Sequence, residues 1–233
     1  MLKKASDVCT LFAGPTLQGI NSQLLFGDDL VLRPPIKRGD IERLVADSAP
    51  STITIVDGVF HAHPAVGHAE ILEALRAGWR IWGLSSMGAI RACEMDNLGM
   101  TGFGEVYRQF ASDPDMSDDE VTLIHQAEEP FLPLSEPLIH IRHFLKQWTA
   151  EHIITVGDAQ PILHHLKNMW YGHRTLNCLR EALLAKNIEP EQIDSALSDF
   201  SAYRIKSLDL IDFLTLRPWT KTVKQNVAIR DTV

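Results

Sequence analysis

The run Thr52-Ile53-Thr54-Ile55-Val56 constrains the fold more than any other stretch of this 233-residue chain, because it is β-branched at every position. Such a strand keeps no polar face for water, so it is expected to be buried on both sides, as in a parallel sheet with helices over its two faces. The flanking sequence supplies the other parts of that arrangement. Val8 to Phe12 reads as a strand stopped by Ala13-Gly14-Pro15-Thr16. Leu30 to Leu32 reads as a short strand ended by Pro34-Pro35, where proline withdraws a ladder donor and restrains the residue before it. Asp40 is placed to cap a helix through Ala49, with Ile41, Leu44 and Val45 on one face. His68 to Ala77 carries Ile71, Leu72 and Leu75 at helical spacing, with Gly78 as its C-terminal stop. Trp79 to Leu84 is the next strand, and Ser85-Ser86-Met87-Gly88 leads straight into a helix to about Met95. Alternation at this pace predicts βαβ units.

After Gly104 the pattern changes to an acidic, proline-punctuated stretch, followed by helical spacing from Leu134 to Leu216. The last of it, Ile193 to Leu216, puts Leu197, Phe200, Ile205, Leu208, Ile211 and Leu214 on one stripe. The expected fold class is therefore α/β, a parallel-sheet βαβ N-terminal half with a mostly helical C-terminal half. Residues 1–110 are expected to form the α/β region that carries the site. Residues 111–233 are expected to form an acidic segment and helical region packed with the first as one unit.

Composition removes several function classes. The net charge of −8 argues against a protein whose affinity comes from neutralising nucleic-acid phosphates. No Walker-type Gly-x4-Gly-Lys-Ser/Thr occurs, and Gly99-Met-Thr-Gly102-Phe-Gly104 follows no expected strand, so neither phosphate cradle is indicated. Cys9, Cys93 and Cys178 are odd in number and widely spaced, which suggests neither a disulfide framework nor a cysteine zinc site and fits a reducing cytoplasm. Val8 to Ala13 is too short for a signal-peptide core, and no run nears the ~20 apolar residues of a membrane span.

In an open parallel sheet, ligands bind just beyond the carboxyl ends of the strands. The turns Gly14-Pro15-Thr16, Asp57-Gly58 and Ser85-Ser86 are thus the site candidates. Ser86, at a sharp strand-to-helix turn, is either a nucleophile beside free helix N–H groups or the cap of that helix. The hydrolase elbow places glycine two before the serine; Leu84 stands there, while Gly88 fits two after. Between Ala5 and Leu145 the only lysine is Lys37, in Pro34-Pro35-Ile36-Lys37-Arg38-Gly39-Asp40. It is either a general base, its proton affinity lowered by burial and by Arg38 or Arg33, or a solvated loop residue. His61, His63 and His68 gather after a buried strand as metal ligands do, but their spacing matches no closed set. Asp57 can hold its own turn or orient a site residue, and His68 and Glu70 can cap a helix or line the crevice. The run from Asp113 to Glu120 resembles a calcium loop without its glycine, and with Ile124 where the last acid belongs.

These blocks together resemble the TfuA-like proteins. The resemblance runs through Gly14-Pro15-Thr16-Leu17, Pro34-Pro35-x-Lys37-Arg38-Gly39-Asp40, Asp57-Gly58-x-Phe60, and Val66-x-His68-x-Glu70-Ile71-Leu72. It continues through Ser86-Met87-Gly88-Ala89-Ile90-Arg91-Ala92, Gly99-Met100-x-Gly102-x-Gly104, Asp118-Asp119-Glu120-Val121, His125, and Leu134-Ser135-Glu136 to Arg142. The resemblance implies a partner of a YcaO protein, which activates a peptide amide with ATP so that sulfur replaces oxygen. It implies further that the chain hydrolyses the C-terminal thiocarboxylate of a ubiquitin-like, ThiS-like sulfur carrier to release sulfide, with no cofactor, metal, nucleic acid or membrane involved. The implied catalytic pair is Ser86 with Lys37, and N–H groups of Met87, Gly88 or the Gly14 turn would hold the oxyanion. Pro15, Asp57, Gly58, His68 and Glu70 would surround the site, with Arg38, Asp118, Asp119 and Arg142 as partner contacts. Two other readings stand beside it, a non-catalytic adaptor between YcaO and its substrate and a metal-dependent hydrolase.

The charge is unevenly placed. Residues 109–141 hold eight acids and no Lys or Arg, so the rest of the chain is formally neutral. That stretch is expected to be either a docking surface for a basic partner or a solvated acidic loop.

Overall fold

The computed structural model describes residues 8–59 and 63–220. Five strands form one all-parallel sheet in the order β2-β1-β3-β4-β5: β1 Cys9–Phe12, β2 Leu30–Arg33, β3 Thr52–Ile55, β4 Arg80–Leu84 and β5 Thr101–Phe103. The β-branched run lies where its composition requires: β3 pairs with β1 and β4, and all its residues are buried. Its alternation splits the interior. Ile53 and Ile55 pack with α1 (Asp40–Asp47), α2 (His68–Arg76) and α3 (Met87–Met95). Thr54 turns the other way and meets the Cys9 thiol at 3.1 Å. On that second face Leu11, Val56 and Leu84 pack against Leu210, Phe213 and Leu214 of α9 (Ile205–Leu216). The sheet is therefore closed on one side by a helix from the far end of the chain.

Between the two, α4 (Gly104–Ser112) follows β5, and α5 (Leu138–Ala150), α6 (Val156–Lys167), α7 (Leu176–Leu184) and α8 (Pro190–Ser198) share a core of their own around Phe144, Trp148 and Leu179. Two expectations need correction here. The glycine-rich stretch from Gly99 to Gly104 contains the edge strand β5, too short to show alternation, and Gly104 (φ +89°) turns it at once into α4. The stripe from Ile193 to Leu216 is two helices joined by a 3-10 turn, Phe200–Tyr203, because Phe200 is pulled into the helical core against Phe144, at 5.6 Å between rings.

Three of the eight acids of residues 109–141 fasten the interior, and the other five, Asp113, Asp115, Asp118, Glu128 and Glu129, are exposed. Glu120 is buried and bonded by Arg142 at 2.6 Å, and Glu136 is buried and bonded by Arg204. Arg174 is fully buried and donates to the carbonyls of Leu166, Lys167, Met169 and Asp119 and to the Asp119 carboxylate. Among the described residues, no helix is long and apolar enough to cross a membrane.

The approach of α3 to the sheet depends on a missing side chain. A Cβ on Gly88 would lie 1.7 Å from the Ile55 carbonyl oxygen, backbone against backbone, so no rotamer change relieves it. Gly88→Ala is therefore expected to cost more than ~3 kcal/mol or to prevent folding. Gly157 lies in the first turn of α6, where a Cβ would meet nothing nearer than Thr155 Oγ1 at 3.7 Å. Gly157→Ala should be neutral or stabilising by up to ~1 kcal/mol. Urea unfolding checks both, and equal midpoints would contradict this account of the packing.

Candidate functional site

The order β2-β1-β3 places the reversal of the sheet between β1 and β3, and a cleft of about 880 Å³ opens at the carboxyl ends of these strands. This is where a doubly wound sheet binds ligands, since chains leaving the two strands diverge there. Asp57, just after β3, is buried and organises the floor. Its Oδ2 accepts from the backbone N–H groups of Gly14 and Thr16, each at 2.9 Å, and its Oδ1 accepts from the Thr16 hydroxyl at 2.6 Å. The β1 turn is thereby locked, with Pro15 on the cleft wall. A Cβ on Gly14 would stand 2.5 Å from Pro35 Cγ, so this close turn also fixes the Pro34-Pro35 segment. Gly58 bridges Ile36, which brings Lys37 to the same cleft.

Ser86 occupies the cap position of α3, yet its side chain makes no capping hydrogen bond; the hydroxyl has no partner among the described residues and lines the cleft. The turn is made by its neighbour. Ser85 has φ 64°, a left-handed conformation unusual for a residue with a Cβ, and its buried hydroxyl donates to the Lys206 carbonyl at 2.8 Å. The strain thus reverses the chain at Ser85 and leaves Ser86 facing the cavity. Of the expected oxyanion donors, two amides are spent: Gly88 N–H goes to the Val56 carbonyl at 3.2 Å and Gly14 N–H to Asp57. The Met87 N–H, at the first position of α3, has no acceptor among the described residues.

The residue that sequence reasoning missed is Lys206. It is 1% exposed, yet lines the cleft with Ser86 and Asp57. Its Nζ donates to the Val121 carbonyl at 3.1 Å and lies 3.9 Å from Asp57 Oδ1. Burial pushes its proton affinity down; Asp57 and Glu136 oppose that without cancelling it. A signal existed. In Ile205-Lys-Ser-Leu-Asp-Leu-Ile-Asp-Phe-Leu-Thr-Leu216 a lone lysine opens a helix that is otherwise mostly apolar, and lysine is almost never buried without a purpose or a partner. Lys37, by contrast, has an exposed side chain on the cleft wall.

Of the remaining candidates among the described residues, His63 alone lines the cleft. His68 is exposed and contacts Glu94 at 2.7 Å. Glu70 is buried, but its carboxylate accepts from the N–H groups of Gly67 and Gly39 and so ties α2 to the Lys37 loop. Arg38 donates to the Ala65 carbonyl at 3.3 Å. Asp118 is exposed, whereas Asp119 and Arg142 are held by Arg174 and Glu120. His63 lines the cleft and His61 lies outside the described residues. Among the described residues no group of three or more His, Cys, Asp or Glu is arranged to hold a metal. Burial pushes the Cys9 thiol up to about 12, which removes it as a nucleophile at neutral pH.

The model of the TfuA-like protein family matches residues 57–175. The chain belongs to that family. Membership associates this TfuA-like protein with YcaO-type thioamidation. A search of curated proteins returns no match. The matched span contains Asp57, Ser86 and Met87 but neither Lys37 nor Lys206, so the family signal and the whole cleft are not coextensive.

Beneath the site lies a buried polar group. His140 contacts Glu136 through Nδ1 at 2.9 Å, and its buried Nε2 has no partner among the described residues. Burial pushes this imidazole down to about 4, with Glu136 opposing and Lys206 and Arg204 adding to the shift. Since the folded value lies below the unfolded ~6.5, the native state binds fewer protons between them. The contribution of this group to stability is therefore complete above about pH 6.5 and is lost as the pH drops toward about 4. His140→Gln is expected to flatten the unfolding midpoint across that window; a variant profile as steep as the wild type's would place the titration elsewhere.

Proposed function

We propose that this protein hydrolyses the C-terminal thiocarboxylate of a ubiquitin-like sulfur carrier and so supplies sulfide to a YcaO partner, with Ser86 as nucleophile and Lys206 as base. The observation that carries the reading is that Ser86, whose hydroxyl makes no capping bond, and a buried lysine line the same cleft. A lysine works as a base near neutral pH only when burial disfavours its cation, and burial acts in that direction on Lys206, whereas Lys37 is exposed.

Ser86 Oγ attacks the thiocarboxylate carbon while its proton passes to Lys206 Nζ. The Met87 N–H, at the positive end of α3, stabilises the oxyanion. As the carbon–sulfur bond breaks, Lys206 returns the proton to sulfur and HS⁻ departs, leaving an ester on Ser86. Water then attacks that ester with Lys206 again taking the proton, and Ser86 Oγ recovers it as the carboxylate leaves. Net, thiocarboxylate and water give carboxylate, HS⁻ and one proton. Asp57 orients: it holds the β1 turn and gives the transient Lys206 cation a counterion.

Sulfide release from a thiocarboxylated carrier tests the reading. Ser86→Ala is expected to reduce the rate to background and Lys206→Met to lower kcat by ~10²–10⁴, whereas Lys37→Ala should stay within a few-fold. The wild-type rate should rise with pH as Lys206 loses its proton and then level off. A Ser86→Ala rate equal to the wild type's would leave only the adaptor reading, and a loss confined to Lys37→Ala would return the base to that loop.

A further inference from the structure

Ser86 is 2% exposed and lies at the floor of its cleft, so only a slender chain end reaches it. The folded body that bears such an end must rest on the rim, and one rim is unusual. Residues 124–134 form a hairpin-like loop: the Leu134 N–H donates to the Ile124 carbonyl at 2.7 Å, the Gln126 N–H to the Leu132 carbonyl at 2.9 Å, and His125 pairs with Pro133 in antiparallel sense. Its inner side, including His125 and Phe131, walls the cleft. Phe131 has φ 56°, packs edge-on to His125 at 6.0 Å, and approaches to 3.3 Å of where a Gly14 Cβ would be. The loop therefore reaches from the rim to the turn that Asp57 locks.

Its outer side leaves apolar groups in water, with Leu132 36% and Leu134 56% exposed. Trp170 is 55% exposed and stacks on Tyr171, itself a cleft residue, at 5.3 Å between rings. The Glu136 N–H donates to the Arg174 carbonyl at 2.7 Å, which brings the Trp170 turn and the end of the loop together. Glu128 and Glu129 at the loop tip are exposed and form no ion pair among the described residues, unlike Asp119, Glu120 and Glu136 of the same acidic stretch. Apolar side chains in water beside a reactive cleft, fringed by uncompensated carboxylates, are the features of a protein-docking patch with a basic complement.

We propose that residues 124–134 and the Trp170 turn form the docking rim for the body of the protein whose C-terminal acyl group enters the cleft. That partner presents apolar and basic residues beside an extended tail. The inference rests on the hydrolytic reading for the partner's identity, and its test separates the two. Affinity is measured by fluorescence anisotropy with a ubiquitin-like carrier ending in an ordinary carboxylate, and turnover with a short thiocarboxylated glycyl-glycine peptide.

Leu134→Glu and Trp170→Ala are each expected to weaken carrier binding by about tenfold or more, while short-peptide turnover stays within about twofold. Glu128→Lys with Glu129→Lys should weaken carrier binding and reduce its salt dependence. The proposal is overturned if the wild type does not bind the carrier, if Leu134→Glu and Trp170→Ala bind it as tightly as wild type does, or if short-peptide turnover falls in the same proportion as affinity. Absence of sulfide release from either substrate would sink the hydrolytic reading alone, because the affinity comparison needs no turnover.

Discussion

The buried Asp57 carboxylate takes three hydrogen bonds from the turn after β1 and faces Lys206 Nζ at 3.9 Å. That one group joins parts of the chain that only the fold brings together: the end of β3, the end of β1, and the first turn of α9. Losing it would leave two backbone donors buried without acceptors, at ~1–3 kcal/mol each, so the floor of the cleft would reorganise rather than merely lose a charge. Asp57 also acts on Lys206 in opposition to burial. Desolvation favours the neutral amine and the carboxylate favours the cation, and the net shift is downward.

Placement of Ser86 is a matter of distance rather than charge. Gly83 and Gly88 let strand β4 and helix α3 approach so closely that a Cβ on Gly83 would lie 2.1 Å from the Gly88 carbonyl oxygen. A helix seated that deeply gives its second N–H, that of Gly88, to the Val56 carbonyl, which pins the helix to the end of β3. The left-handed Ser85 completes the turn, and the Lys206 carbonyl accepts a hydrogen bond from its hydroxyl, so the residue that bears the strain is held by the same helix end that carries the buried Lys206 side chain. Ser86 and Lys206 are thus linked through the backbone as well as through the cleft that both line.

How much of this was legible depended on where each signal resided. The β-branched Thr52 to Val56 run, the helix stop at Gly78 and the polar turns after three strands were readable because each is a local preference that the fold did not override. Asp57, Ser86 and Gly14 were readable for the same reason, since strand ends in a parallel sheet share one edge. β5 was not: three residues between glycines carry no period, and only pairing with β4 makes them a strand. Lys206 was not read either, because its role exists only once α9 crosses the sheet, some 149 residues after Asp57. The acids of residues 109–141 looked like one patch in sequence, but their charges separate in space: Glu120, Glu136 and Asp119 turn inward to arginines, and Glu128 and Glu129 remain outside.

The inward pairs explain why a stretch with no cation of its own can cross the interior. Each buried carboxylate would be prohibitive alone, and removing one partner of such a pair commonly costs ~3–5 kcal/mol. Here the arginines come from α5, from the segment before α7 and from the start of α9, so the helical half supplies the cations that the acidic stretch lacks. The same placement presents the Val121 carbonyl to Lys206 and the wall of residues 121–125 to the cleft. Ion pairs and this hydrogen bond therefore tie the acidic stretch to the helical half and to Lys206. A fragment limited to the family-matched residues would contain Ser86 and Asp57 but lack β1, β2, β3 and α9, and with them the turn that Asp57 holds and the lysine that it faces.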